Sequence, residues 1–294
     1  LFENGNTRFY NLEIRFTAHY NRNFHIFSIS LTTDNLIISI FVNTSSVGFL
    51  SNYVFIINTI KMIIRSIMYP MTSTIGGIIA ENNKNKEYIF QIYTILSYVL
   101  SGCFAAPVIV LVEHFVGNIF GRAYIMSIGI PILLVADCVL DTIMIPCCSY
   151  LNASGLFKYE NRICIIGAAT NIIISLLLVQ NFGIIGVLNG TVVSQFVYFI
   201  LRSITFYKYC IEGDAKVKVM QYWFMSIKFI ITISLSVVTA WYIFQLLNQM
   251  SAVRLFVYGG LLCEIIYMFI FIIFWHKEVR KVLNVFSQKG KIKQ

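Results

Sequence analysis

The sequence predicts an all-α, polytopic membrane protein with eight transmembrane helices. Three observations carry that prediction. The 294 residues are 58% hydrophobic and 12% charged, with a mean hydropathy of +0.77, whereas soluble domains hold about one quarter charged residues. Apolar runs close to the ~20 residues needed to cross hydrocarbon recur along the chain. The roughly ten-residue alternating segments of a membrane β-barrel do not. The net charge of +9 is no nucleic-acid footprint, because most of the bases lie in inter-helix loops and in the tail, as membrane topology requires.

Residues 1–26 carry Arg8, Arg15 and Arg22 and read as a cytoplasmic segment without the apolar core of a signal peptide. The first span is 27–42, and a turn at Asn43–Ser46 leads to the second, 47–69, which Pro70 closes. After the polar loop around Lys84 and Lys86 come spans at 88–112 and 124–150. Pro131 and Pro146 are expected to kink or end the latter, which membranes tolerate when neighbours satisfy the freed carbonyls. The loop 152–162 precedes spans at 163–179 and 184–207, joined by a tight turn at Asn181–Gly183. Two further spans, 222–247 and 252–275, lead into a basic tail, 276–294. Lys and Arg residues gather on one set of segments: those carrying Arg8, Lys84, Lys158 and Lys216, and the tail. The opposite set carries Arg122 alone. Lys and Arg resist translocation, so both termini of the chain are expected in the cytoplasm.

The loops are too short for an external catalytic domain, and no GxxxxGK[ST] phosphate loop occurs. The seven cysteines lie almost entirely in apolar segments and lack zinc-ligand spacing, so they read as packing residues. Function must then reside in ionisable groups held in hydrocarbon, which are costly and commonly mark a substrate or ion path. Asp34 lies in the first span, and Lys61 and Arg65 lie in the second. The two bases are spaced i, i+4 and share a face, which suits an anionic substrate such as a phosphate or pyrophosphate. The alternative is that Arg65 snorkels to the headgroups while Lys61 merely pairs with Asp34. Asp137 and Asp141 repeat the i, i+4 spacing in the fourth span. They read as a titratable ion-coupling pair, or as neutral acids hydrogen-bonded across a helix interface. Glu264 reads as pairing with a neighbouring helix, Arg202 and Lys228 as snorkelling. Gly186 and Gly190 form a GxxxG packing signal.

Several of these stretches carry a family resemblance. TTDNLIISIFVNTSSVGFLSNYVFIINTI and STIGGIIAENNKNK, then NASGLFKYENR and GIIGVLNGTVVSQ in that order, resemble the second lobe of Wzx-type polysaccharide flippases of the MATE-like superfamily. The resemblance implies a two-lobed transporter of up to fourteen helices. In it, 1–26 would be the inter-lobe segment, 27–208 the second six-helix lobe, 209–275 two additional helices and 276–294 a cytoplasmic tail. It implies transport rather than enzymatic chemistry: flipping of an undecaprenyl-pyrophosphate-linked oligosaccharide across the bacterial plasma membrane for O-antigen or capsule synthesis. Polysaccharide polymerase machinery would be a further partner. Lys61, Arg65 and Asp34 would then be substrate-binding, with H+ or Na+ as coupling ion and no cofactor or metal. A MATE-type multidrug exporter is the rival, and its cavity should be net acidic.

Overall fold

The computed structural model describes residues 33–80, 86–211, 213–246 and 252–291. The N-terminal segment 1–26, the start of the first span and most of the Asn/Lys-rich loop lie outside the described residues. Every regular element among those described is helical: α1 (33–41), α2 (Thr44–Met68), α3 (Met71–Ala80), α4 (Lys86–Ile119), a single 3₁₀ turn (Arg122–Tyr124), α5 (Gly129–Ala153), α6 (Phe157–Tyr209), α7 (Ala215–Leu246) and α8 (Ala252–Lys291). Helices are the expected solution in lipid, where each backbone N–H and C=O must find a partner within the chain. Among the described residues, six stretches are long and apolar enough to cross a membrane.

Local chemistry sets the ends. Asn43 caps α2, its side-chain oxygen accepting the Ser46 N–H at 2.6 Å, which satisfies one orphan donor of the first turn. Pro70, which lacks an N–H, separates α2 from α3 rather than ending the span: the apolar helix runs on to Ile79. Pro131 falls in the first turn of α5, where a missing N–H costs little, and Pro146 sits inside a helix that continues to Ala153. Within the turn that Pro146 interrupts, the Tyr222 hydroxyl donates to the Ile143 carbonyl at 3.1 Å. α8 is helical well past Trp275, so much of the basic tail belongs to the last helix.

α6 is two antiparallel arms, α6a (157–182) and α6b (184–209). They meet at Gly183, whose φ of 55° and ψ of −131° interrupt the helical backbone. Positive φ favours glycine, and here one residue reverses the chain. Small residues let the arms touch. A methyl on Gly190 would lie 2.8 Å from the Ser175 backbone nitrogen, and one on Gly186 2.6 Å from the Leu178 carbonyl carbon. The fifth and sixth predicted spans are therefore present as a hairpin with no loop.

α5 is the most enclosed helix, packing against α2, α3, α4 and α6. An aromatic core joins α4, α5, α6b and α7: Phe90 stacks on Phe206 (centroids 4.1 Å) and meets Tyr150 edge-on at 5.5 Å, while Tyr98 stacks on Phe229 at 4.2 Å. Buried phenols find partners, as their polar tips require: Tyr93 donates to the Met68 carbonyl (2.7 Å) and Tyr267 to the Tyr98 carbonyl (2.9 Å). On the outside stand large apolar side chains such as Ile40, Phe55, Leu177, Phe224 and Ile265. In water this would be an aggregation surface; in hydrocarbon it is the solvated face.

Candidate functional site

The site grows from matched spacings on two helices. Residues four apart on a helix stand about 5–6 Å from each other on one face, so two bases at that spacing can meet two acids at the same spacing. That is what α2 and α5 do. Lys61 Nζ donates to Asp137 Oδ2 at 2.6 Å, and one turn along Arg65 Nη2 donates to Asp141 Oδ2 at 2.7 Å. The rungs differ in access, with side-chain exposures of 6% for Lys61 and 28% for Arg65. Both bases line an open groove of about 560 Å³ along α2, shared with Asn58, Met62, Ser66, Tyr69 and Pro70. Among the described residues no carboxylate lines it.

Asp137 has a second partner. Gln195 on α6b donates its amide Nε2–H to Asp137 Oδ1 at 2.7 Å, so each carboxylate oxygen receives one donor and α2, α5 and α6b converge on a single acid. A third buried pair closes the hairpin. Arg202 donates through Nε (2.9 Å) and Nη2 to Glu160 Oε1, and its guanidinium lies 5.0 Å from the centroid of the Tyr198 ring. The Cys148 and Cys164 thiols each lie 3.8 Å from the same oxygen. Arg202 therefore does not snorkel; it neutralises an acid that its loop position in the sequence had hidden. Lys228 is also engaged, with Glu278 Oε1 at 3.1 Å and its ammonium 4.4 Å from the Trp275 ring centroid. Glu264 is half-buried on α8 beside Cys103 of α4.

Asp34 pairs with neither Lys61 nor Arg65, contrary to the expectation from its place in the sequence. It is buried on α1 and accepts from Thr191 Oγ1 on α6b at 2.9 Å. Asn171 Nδ2 donates to Thr191 Oγ1 at 3.3 Å, and Ser175 Oγ lies 3.3 Å from Asn171 Oδ1 and 3.2 Å from the Val187 carbonyl oxygen. Asp34 Oδ1 is buried without a hydrogen-bond partner among the described residues. The result is an oxygen-rich cluster between α1 and the two arms of α6, holding one carboxylate. Among the described residues no group of three or more His, Cys, Asp or Glu side chains gathers as a metal site.

The predicted site residues thus fall into two neighbouring groups: Lys61, Arg65, Asp137 and Asp141 in one, Asp34 in the other. Sequence reasoning missed Gln195, Thr191, Asn171 and Glu160. The first three are neutral and blend into the apolar spans as packing positions. The usable signal was their i, i+4 repetition, Asn171 with Ser175 and Thr191 with Gln195, within otherwise apolar helices.

No protein family matches the chain, and no curated protein matches it. Its fold is shared with a solved structure titled "Lipid II flippase MurJ, inward closed conformation". The likeness has a TM-score of 0.66 at 14% sequence identity and covers 88% of this chain and 53% of that one. At that identity the likeness concerns the fold: an all-helical, polytopic membrane architecture. The chain spans about half the length of that structure.

Proposed function

We propose that this chain is part of a flippase that carries an anionic, lipid-linked saccharide across a membrane by alternating access. The observation that carries the reading is the groove on α2, whose Lys61 and Arg65 offer cationic donors and no carboxylate within a flippase-like fold. Arg provides planar, paired donors for phosphate oxygens and Lys a point charge. A diphosphate headgroup would occupy the groove while its prenyl tail stays in hydrocarbon. The cargo class is an undecaprenyl-pyrophosphate-linked oligosaccharide of O-antigen or capsule synthesis, in a bacterial plasma membrane, and the step needs no covalent chemistry. A cationic drug is poorly matched to a groove lined by two bases.

Movement of H+ or Na+ would drive transport. Asp137 and Asp141 are each neutralised by a base, which leaves them ill placed to exchange a cation. Asp34 suits that role better, since its carboxylate has no base beside it among the described residues and accepts from the neutral Thr191 hydroxyl.

The test is genetic and chemical. In a strain lacking the gene that encodes this chain, undecaprenyl-pyrophosphate-linked oligosaccharide should accumulate and surface polysaccharide should disappear. The wild-type gene should reverse both, and a Lys61→Ala/Arg65→Ala gene should reverse neither. An unchanged lipid pool with intact surface polysaccharide refutes the proposal.

A further inference from the structure

Lys61 and Arg65 look alike in sequence, yet their surroundings give them different work. Lys61 is 5% exposed, and its ammonium is held by Asp137, which Gln195 holds from the far side. Asp137 and Gln195 are themselves buried, at 9% and 6% exposure. Removing a charge from such an enclosure leaves an uncompensated partner, so Lys61 is poorly placed to turn towards a ligand. Arg65 has more than four times the side-chain exposure of Lys61 and opens onto the groove. Arg65 donates to Asp141 through Nη2, and the five N–H donors of a guanidinium suit phosphate oxygens.

We infer that Lys61, Asp137 and Gln195 form a clasp that fixes α2 against α5 and α6b, and that Arg65 alone receives the anion. Lys61, Asp137 and Gln195 are positioning residues in this account: they set the position of α2 and so the direction in which Arg65 points. The inference rests on the proposed function, because it divides the groove's two bases between contact and support. Gln195 supplies the sharpest test. It does not line the groove, so an effect of its substitution on anion binding is indirect, and Asp137 is the acid that its amide holds. Its amide also makes the clasp reversible in sign. After a Lys61→Asp/Asp137→Lys exchange, a rotated Gln195 can present its carbonyl oxygen to the relocated ammonium.

The experiment measures binding of geranylgeranyl diphosphate to the intact protein in nanodiscs, with geranylgeraniol and inorganic pyrophosphate as separate arms. Wild type should bind the prenyl diphosphate and not the alcohol; if it does not, the proposed function and this inference fall together. Arg65→Gln should weaken binding about tenfold or more, the equivalent of one lost charge-assisted contact. Lys61→Gln and Gln195→Leu should each weaken it several-fold. The Lys61→Asp/Asp137→Lys exchange should return affinity to near wild type, whereas an Arg65→Asp/Asp141→Arg exchange should not. If wild type binds but the Lys61/Asp137 exchange binds as poorly as Arg65→Gln, Lys61 touches the ligand and the inference alone is overturned. Should the exchanged protein fail to elute as a folded species, Gln195→Leu decides. Unchanged affinity in a folded Gln195→Leu protein overturns the clasp; weakened affinity in a folded protein supports it, because a merely structural role would lower the melting temperature without moving the dissociation constant.

Discussion

Thr191 and Gln195 stand one turn apart on α6b, and each holds an acid from a different helix: Thr191 the Asp34 carboxylate of α1, Gln195 the Asp137 carboxylate of α5. A single helical face therefore touches both the oxygen cluster and the ladder of bases. Two sites joined through one rigid element can bias each other when that element has two arrangements. The proposed ion site and the proposed anion site meet this geometric condition.

The oxygen cluster predicts ion-dependent stability. A cation that binds the folded state raises its melting temperature by mass action. Wild type should melt higher in sodium chloride than in choline chloride, or should shift with pH if the proton is the ion. Asp34→Asn should lose that shift while keeping its affinity for geranylgeranyl diphosphate. An equal shift in both proteins would remove Asp34 from the ion path.

The Lys61–Asp137 rung predicts a non-additive pair. Breaking a buried ion pair from one side costs about 3–5 kcal/mol, whereas replacing both partners by apolar groups of similar volume can be near neutral. Lys61→Met and Asp137→Leu should each lower thermal stability sharply in detergent. The double variant should recover much of the loss, less the cost of the orphaned Gln195 amide. Additive losses would show that the two side chains do not interact.

At the other end of the hairpin, Arg202→Lys should not replace Arg202. Two guanidinium nitrogens converge on Glu160 Oε1, a fork that a single ammonium cannot reproduce. Arg202→Lys should therefore unfold at lower temperature than wild type, and Arg202→Met lower still. A Lys variant as stable as wild type would reduce the pair to simple charge neutralisation.

Glycines on the hairpin and elsewhere should respond in opposite ways. Gly190→Ala and Gly186→Ala push a methyl into the facing arm's backbone and should cost about 1–3 kcal/mol by overpacking. A methyl at Gly48, in α2, would meet nothing within 4 Å, and Gly48→Ala should be neutral or slightly stabilising through helix propensity. Thermal denaturation of the three variants in one detergent checks the contrast.

The helical class and most spans were legible because crossing hydrocarbon demands long apolar runs, and such runs survive as a plain pattern. The two i, i+4 pairs of opposite sign, Lys61/Arg65 and Asp137/Asp141, were also visible, but their complementarity was not drawn from spacing alone. Adjacent helices in sequence suggest that Asp34 meets the bases in space, and the fold instead turns it towards Thr191. Glu160 and Arg202 lie 42 residues apart and meet only because Gly183 reverses the chain in a single residue. Neutral residues such as Gln195 carry no charge signal in a membrane sequence, and their importance appears only when a buried acid is found beside them.

The three ion pairs that join α2, α5 and the α6 hairpin have an electrical consequence. Lys61, Arg65 and Arg202 are offset one for one by Asp137, Asp141 and Glu160, so as formal charges these six groups sum to nothing. Beside them, Asp34 has no base among the described residues, and its ionisation sets the charge of this cluster. With its carboxylate bare, the proposed rocking motion would carry a negative charge through the transmembrane field, worth about 2.3 kcal/mol per 100 mV for a full crossing. With a cation seated there, the same motion does no electrical work. The membrane voltage would thus act on the empty carrier and spare the loaded one, and current transients recorded with and without the ion would reveal the difference.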